Sequence, residues 1–281
     1  MKADTRKVAD GIGIVGFGRM GGALLRGVLK SGLISPSMAF AYDKDSTRVR
    51  EMGNAGISYC DASEMGGICG TIIVAVKPKD MKTALHELRP GVSGRNLVVS
   101  VAAGVSMGFV REILGSEVPV ARVMPNAGVL VGKGACAFCV SESVTRKQAD
   151  FMRGLLETVG CVVRVSEAEM DAVTGLSGSG PAYVYRFIEA LCLGGTRAGL
   201  PAETAKMLAI HTVAGAAETV AATTRSIEEL VSDVATPGGT TAEGLKVLEQ
   251  GDFGTIVAAA VESAAERSRS IQRGLMSDAA D

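Results

Sequence analysis

The sequence predicts an α/β protein, with an N-terminal Rossmann-type doubly wound sheet followed by an all-α helical domain. Three observations lead there. Residues 11–22 read as strand, glycine turn and helix, and Gly16-Phe17-Gly18-Arg19-Met20-Gly21 fits the pattern G-x-G-x-x-G. That pattern has weight only between a strand and a helix, which is where it falls. Short apolar strands then alternate with helical patterns as far as residue 163, the signature of a doubly wound parallel sheet. After residue 166 only helical patterns remain. The expected division is therefore residues 1–165 as a dinucleotide-binding domain and residues 166–281 as a helical substrate-binding and dimerisation domain.

The elements follow in order. Ile12, Ile14 and Val15 make the first strand, and a helix over 23–29 is ended by Gly32. Residues 38–42 form a strand ending at Asp43, followed by a helix at 45–52 and a strand at 57–60. The apolar run 71–76 is a buried strand; Lys77-Pro78 then opens a helix to residue 88. Strand 96–101, helix 106–114 and strand 118–124 continue the alternation, and a strand–helix–strand unit over 135–163 extends the sheet. Helices are expected at 167–176, 181–198, 202–222, 227–234, 241–250 and 256–270. Pro181 and Pro201 stand at helix starts, where a missing N–H costs nothing. Ala209, Val213, Ala214, Ala217 and Val220 form a small-residue stripe that permits close helix approach, within the chain or across a homodimer or an assembly of dimers.

Composition narrows the function. The chain has 281 residues, 47% of them hydrophobic, and a net charge of −1, which gives no electrostatic reason to expect nucleic acid or an anionic membrane. Its apolar runs are too short to span a bilayer, and the polar residues 1–10 do not resemble a signal peptide, so a cytoplasmic location is expected. Of six cysteines only Cys136 and Cys139 approach a metal spacing. They sit three apart on a strand, facing opposite sides, with no second pair or nearby histidine. Buried, reduced thiols are expected, and no metal.

Coenzyme contacts in such a sheet come from the C-terminal ends of the strands. That selects the loop Gly16, Phe17, Gly18, Arg19, Met20 and Gly21, then Asp43 and Lys44, Val76, Lys77 and Pro78, and Val101 and Ala102. Asp43 lies where an acid would bond a ribose 2′-hydroxyl and favour NAD. Lys44 and Arg48 could instead pair with a 2′-phosphate, so the residues leave NAD and NADP both open.

The second constellation is Thr236-Pro237-Gly238-Gly239-Thr240-Thr241, at the start of the helix expected from 241. Thr240 and Glu243 have capping-box spacing, which makes Thr240 the expected N-cap. A helix N-terminus preceded by two glycines presents N–H donors and a partial positive charge to an anion such as a carboxylate. The two histidines offer no acid: His86 reads as a surface residue and His211 as a packed one. No His–Asp pair, serine elbow or paired carboxylates stand out, which disfavours hydrolysis and reductions needing a tuned proton donor. A substrate already activated, such as a protonated imine, suits a nicotinamide enzyme that works by positioning.

These motifs, with Ala75-Val76-Lys77-Pro78, Met124-Pro125-Asn126, the run from Gly175 through Pro181 to Tyr183, and Val234-Ala235 ahead of Thr236, resemble the pyrroline-5-carboxylate reductases. The resemblance covers nearly the whole chain. It implies reduction of Δ1-pyrroline-5-carboxylate to L-proline, the last step of proline biosynthesis, with NADP as coenzyme and NAD possible. It also implies that Thr236, Gly238, Gly239, Thr240 and Thr241 bind the substrate together with Asn126, and that the Thr241 hydroxyl meets the imine nitrogen. A site shared with a partner subunit is implied as well. Tyr42-Asp43-Lys44-Asp45 departs from the family's pattern after the second strand; Thr236, where the family usually has Ser, keeps the hydroxyl. Two other functions fit parts of the chain. A 3-hydroxyacid dehydrogenase would need a lysine and an asparagine where Val184 and Ile188 stand. A non-catalytic dinucleotide-binding regulator would not need the intact 236–241 segment.

Overall fold

The structure is a computed structural model and describes residues 11–277; the polar stretch 1–10, read above as carrying no signal peptide, lies outside the described residues. Strand β1 (Gly11–Val15) leads through the glycine loop into α1 (Arg19–Ser31), which ends on Gly32 in the left-handed conformation. Then come β2 (Ala39–Tyr42), α2 (Ser46–Asn54), β3 (Ser58–Tyr59), α3 (Ala62–Ile68), β4 (Cys69–Val74) and α4 (Met81–Leu88). The sheet continues with β5 (Leu97–Ser100), α5 (Met107–Leu114), β6 (Val120–Met124), β7 (Gly134–Val140), α6 (Arg146–Glu157) and β8 (Gly160–Arg164). Among the described residues these strands make one eight-stranded sheet, ordered β3-β2-β1-β4-β5-β6-β7-β8. The order reverses between β1 and β4, so both α/β halves diverge from that point.

Alternation along the strands divides the core in two. Ile12, Ile14, Val99 and Val123 pack with Leu24, Leu25 and Val28 of α1, Met52 of α2 and Leu155 of α6. Val15, Ile72, Val98 and Val120 face the other way, against Met65 of α3, Leu85 of α4 and Phe109 of α5. The sheet is not parallel throughout. β7 pairs antiparallel with β6, and β8 is parallel to β7. No crossover helix lies between β6 and β7, only a 3-10 turn at Ala127–Val131, so the chain folds straight back.

The helices after β8 are α7 (Met170–Val173), α8 (Gly180–Arg197), α9 (Ala202–Ala221), α10 (Ile227–Val234), α11 (Thr240–Gln250) and α12 (Phe253–Ser277). By compactness the chain divides into a unit running to Ser179 and resumed at Ser263, and a second unit Gly180–Glu262. This differs from the division near Val165 in a way that packing explains. Met170 and Thr174 are buried in the first unit, and the end of α12 is tied there by a hydrogen bond from Ser268 Oγ to Asp171 Oδ1, 2.6 Å.

Within the second unit, Ala205 and Ala209 of α9 are buried, and Gly195 of α8 lets the Ala205 methyl approach closely. Phe187 of α8 meets Phe253 of α12 with ring centroids 5.9 Å apart, and Tyr183 Oη donates to the Ala260 carbonyl at 3.2 Å. Much apolar surface stays uncovered in the single chain, including Tyr185, Met207, Ile227, Val247 and Ile256. Of the small-residue stripe, Ala209 is buried and Val213 half-buried, whereas Ala214, Ala217 and Val220 are exposed.

No helix among the described residues is long and apolar enough to cross a membrane. Cys60, Cys69, Cys136 and Cys139 are buried free thiols, but Cys161 is exposed and Cys192 half-buried, so burial does not extend to all six. Burial pushes the Cys136 and Cys139 thiols up to about 11, which keeps them protonated and poor ligands. Among the described residues no cluster of His, Cys, Asp or Glu could hold a metal ion.

Candidate active site

One candidate, in the first unit, is a cleft of about 510 Å³ above the switch point of the sheet. Gly16, Gly18, Asp43, Lys44, Val76 and Lys77 line it. Gly16 has φ +95°, a region that disfavours any other residue, and a Cβ there would stand 2.8 Å from the Ala75 carbonyl oxygen. At Gly18, by contrast, a Cβ would meet nothing within 4 Å, so this backbone faces open space. Gly18 is also the N-cap of α1, and a glycine has no side chain with which to cover the first amides of that helix. A pyrophosphate fits this cradle: bare backbone beside a helix N-terminus.

The other expected coenzyme residues take different positions. The Phe17 ring is fully buried, with the Arg26 guanidinium 5.4 Å from its centroid, so only its backbone belongs to the loop. Val101 and Ala102 are buried in the two core clusters. Gly21 is buried where α1 meets β1; Met20 is half-buried and Arg19 exposed. Pro78 opens the short turn Pro78–Asp80 ahead of α4.

Asp43 does more than end β2. Its Oδ2 accepts from the Phe17 N–H at 2.7 Å and its Oδ1 from the Asp45 N–H at 3.0 Å. The carboxylate therefore braces the glycine loop from across the cleft. Sequence spacing pointed to a ribose contact and gave no sign of this second task. Asp43→Ser is accordingly expected to weaken binding of both coenzymes, and NADH more than NADPH. Fluorescence titration with each checks it, and an unchanged ratio of the two constants would mean that Asp43 does not meet the ribose.

Two of the cations beyond β2 are engaged. Lys44 Nζ lies 2.9 Å from Glu87 Oε1, and Arg48 lies 3.2 Å from Glu51 Oε2. Asp45 is the N-cap of α2, accepting from the Thr47 N–H at 2.8 Å. Asn126 follows β6 as the cap of the 3-10 turn. Its Oδ1 accepts from the N–H groups of Gly128 at 3.0 Å and Ala135 at 3.1 Å, leaving the amide NH2 for other partners.

A separate candidate segment lies in the second unit. Thr236 to Gly239 form a turn closed by the Gly239 N–H on the Thr236 carbonyl, 2.9 Å. Gly238 supplies φ +72° after Pro237, the pattern of a type II turn. A Cβ on Gly239 would fall 2.5 Å from Thr236 Oγ1, so glycine is required there. The expected cap is corrected: α11 begins at Thr240, its N-cap is Gly239, and the Thr240–Glu243 box does not form. Glu243 pairs instead with Lys246. Because the cap is a glycine, the first amides of α11 have no side chain over them. By comparison, α10 begins with a complete capping box between Ser226 and Glu229. Thr236, Thr240 and Thr241 are all exposed in the single chain. His86 is exposed, and so is His211, which was expected to be packed.

A doubly wound sheet with a glycine cradle at its switch point defines a dinucleotide-binding protein of the Rossmann type. Residues 167–271 match the family described as pyrroline-5-carboxylate reductase dimerisation, and residues 11–104 the family described as NADP oxidoreductase coenzyme F420-dependent. The chain is 35% identical to pyrroline-5-carboxylate reductase 2 of Bacillus subtilis, over 93% of this chain and 95% of the relative. It is 37% identical to the pyrroline-5-carboxylate reductase of Arabidopsis thaliana, again over 93% and 95%. Its fold is similar to the crystal structure of Plasmodium falciparum pyrroline carboxylate reductase with NADP bound, with a TM-score of 0.86, 32% identity, and 94% of this chain and 98% of the other covered. The chain belongs to the pyrroline-5-carboxylate reductase family and is an NAD(P)H-dependent reductase.

Proposed function

We propose that this protein reduces the C=N bond of 1-pyrroline-5-carboxylate to give L-proline, with NADPH as coenzyme and NADH also accepted. The observation that carries this reading is the open, glycine-capped start of α11 in a chain that is similar to these reductases over 93% of its length. The substrate carboxylate is held by the free amides at Thr240 and Thr241, after the turn made by Thr236, Gly238 and Gly239. An anion there gains from both the N–H donors and the helix dipole. The Thr241 hydroxyl hydrogen-bonds the ring nitrogen, and the Asn126 amide NH2 supplies a further donor. The coenzyme, held by the glycine loop and the ends of β2, β4 and β5 through Asp43, Lys44, Val76, Lys77, Pro78, Val101 and Ala102, supplies the hydride.

An imine carbon is electrophilic without an external acid, so the residues mainly orient it. The functional division falls near Val165, and the match of residues 167–271 to a dimerisation family supports placing the subunit contact in the helical part. The exposed apolar faces of α8 to α12 support a homodimer, or an assembly of dimers, as the working form. A cytoplasmic location suits an enzyme of amino-acid biosynthesis.

A steady-state assay with pyrroline-5-carboxylate, run with NADPH and NADH in parallel, tests the reading. Proline formation matched by coenzyme oxidation is expected. Coenzyme binding with no turnover of this imine would sink it, and turnover of 3-hydroxy acids would point to alcohol chemistry instead.

A further inference from the structure

Coenzyme discrimination in this chain involves a residue outside the β2 turn. We infer that Glu87, on the last turn of α4, is a specificity-determining residue that shifts the enzyme toward NADH by restraining Lys44. This rests on the reading of the cleft at Gly16 as the coenzyme site.

Lys44, just after β2, and Glu87, from α4, both line that cleft and form a 2.9 Å ion pair there. The position after β2 is where the adenosine ribose of a dinucleotide lies in such folds, and a coenzyme with a 2′-phosphate needs a cation there. Of the cations at 44, 48 and 50 that follow β2, Arg48 has Glu51 from its own helix as partner, and Lys44 has Glu87 from another element. Of these two pairs, only Lys44–Glu87 lines the cleft. Asp43 and Asp45 stand beside Lys44, both accepting backbone N–H bonds, and put two carboxylates on the same rim.

A 2′-phosphate arriving here meets carboxylates and one lysine already neutralised. A 2′-hydroxyl pays no such charge penalty. Side-chain exposure in the pair is 62% and 34%, so the bond is weak in water and a phosphate carrying more than one charge can compete for Lys44. Glu87 therefore tunes the preference without forbidding NADPH.

The test is equilibrium binding. Affinities of NADPH and NADH are measured by nicotinamide fluorescence, and those of 2′,5′-ADP and 5′-AMP by calorimetry, which isolates the adenosine end. Glu87→Gln is expected to strengthen NADPH and 2′,5′-ADP by about fivefold relative to their unphosphorylated counterparts, the size of a released surface ion pair plus a removed repulsion. Glu87→Asp keeps the charge and is expected to keep the original ratio. Adding Lys44→Ala to Glu87→Gln is expected to abolish the gain. Equal changes for the phosphorylated and unphosphorylated ligands would overturn the role of Glu87. A gain that survives without Lys44 would overturn the restraint mechanism. Failure of the unaltered protein to bind either nucleotide would remove the coenzyme reading of the cleft, and this inference with it.

Discussion

Thr241→Ala is expected to lower kcat/KM for pyrroline-5-carboxylate by about a hundredfold while leaving coenzyme affinity within about twofold, as loss of one positioned donor at a reacting centre costs on that scale. Thr241 follows the first residue of α11, so its side chain stands at the helix start while its amide is one of those without a cap. Alanine keeps the amide, the helix and the turn from Thr236 to Gly239, and deletes only the hydroxyl. The carboxylate then still binds, and KM should change less than kcat. Thr241→Ser restores the hydroxyl and should recover most of the rate. Parallel losses of coenzyme affinity and turnover, or an alanine variant as active as the parent, would show that the hydroxyl does not meet the reacting end of the substrate.

How much of this was legible in the sequence follows from how local each signal is. The glycine loop was legible because Gly16 and Gly18 have local tasks, a left-handed φ and an open backbone. The succession of strands along the chain was legible because apolar runs such as 71–76 can only be buried. Helix α3 was not anticipated, because Gly66-Gly67 in its middle reads as a breaker. The structure shows why a glycine sits there: a Cβ on Gly66 would stand 1.9 Å from the Gly91 carbonyl oxygen, a contact from a distant segment. The antiparallel turn at β7 was missed because strand direction depends on the connection, and residues 125–133 do not announce a turn-back. At the site, spacing found Thr240 and Glu243, yet the geometry passed the cap to Gly239. The Lys44–Glu87 and Asp43–Phe17 contacts link residues far apart in the chain, and nothing local encodes them.

The same kind of long-range contact underlies the largest expected loss of stability. Arg122 on β6 is 3% exposed, and the sequence gives no hint that a charge is buried in that strand. Its guanidinium lies 3.4 Å from Asp171 Oδ1 and 3.8 Å from Glu167 Oε1. Each carboxylate has a second bond: the Met107 N–H to Glu167 Oε1 at 2.6 Å, and Ser268 Oγ to Asp171 Oδ1 at 2.6 Å. One cation thus joins β6, the start of α5, the segment entering α7 and the end of α12. Removing it strands two carboxylates, of which Asp171 is 13% exposed and Glu167 35%. Breaking a buried pair costs about 3–5 kcal/mol, and the exposure of Glu167 puts Arg122→Met near the lower end. At fixed protein concentration the urea midpoint should fall by about 1 M. Asp171→Asn alone should cost less, because Ser268 keeps an acceptor, and the double variant should cost less than the two losses added. Strict additivity would mean that Arg122 and Asp171 do not interact, and an unmoved midpoint for Arg122→Met would mean that the network contributes nothing to stability.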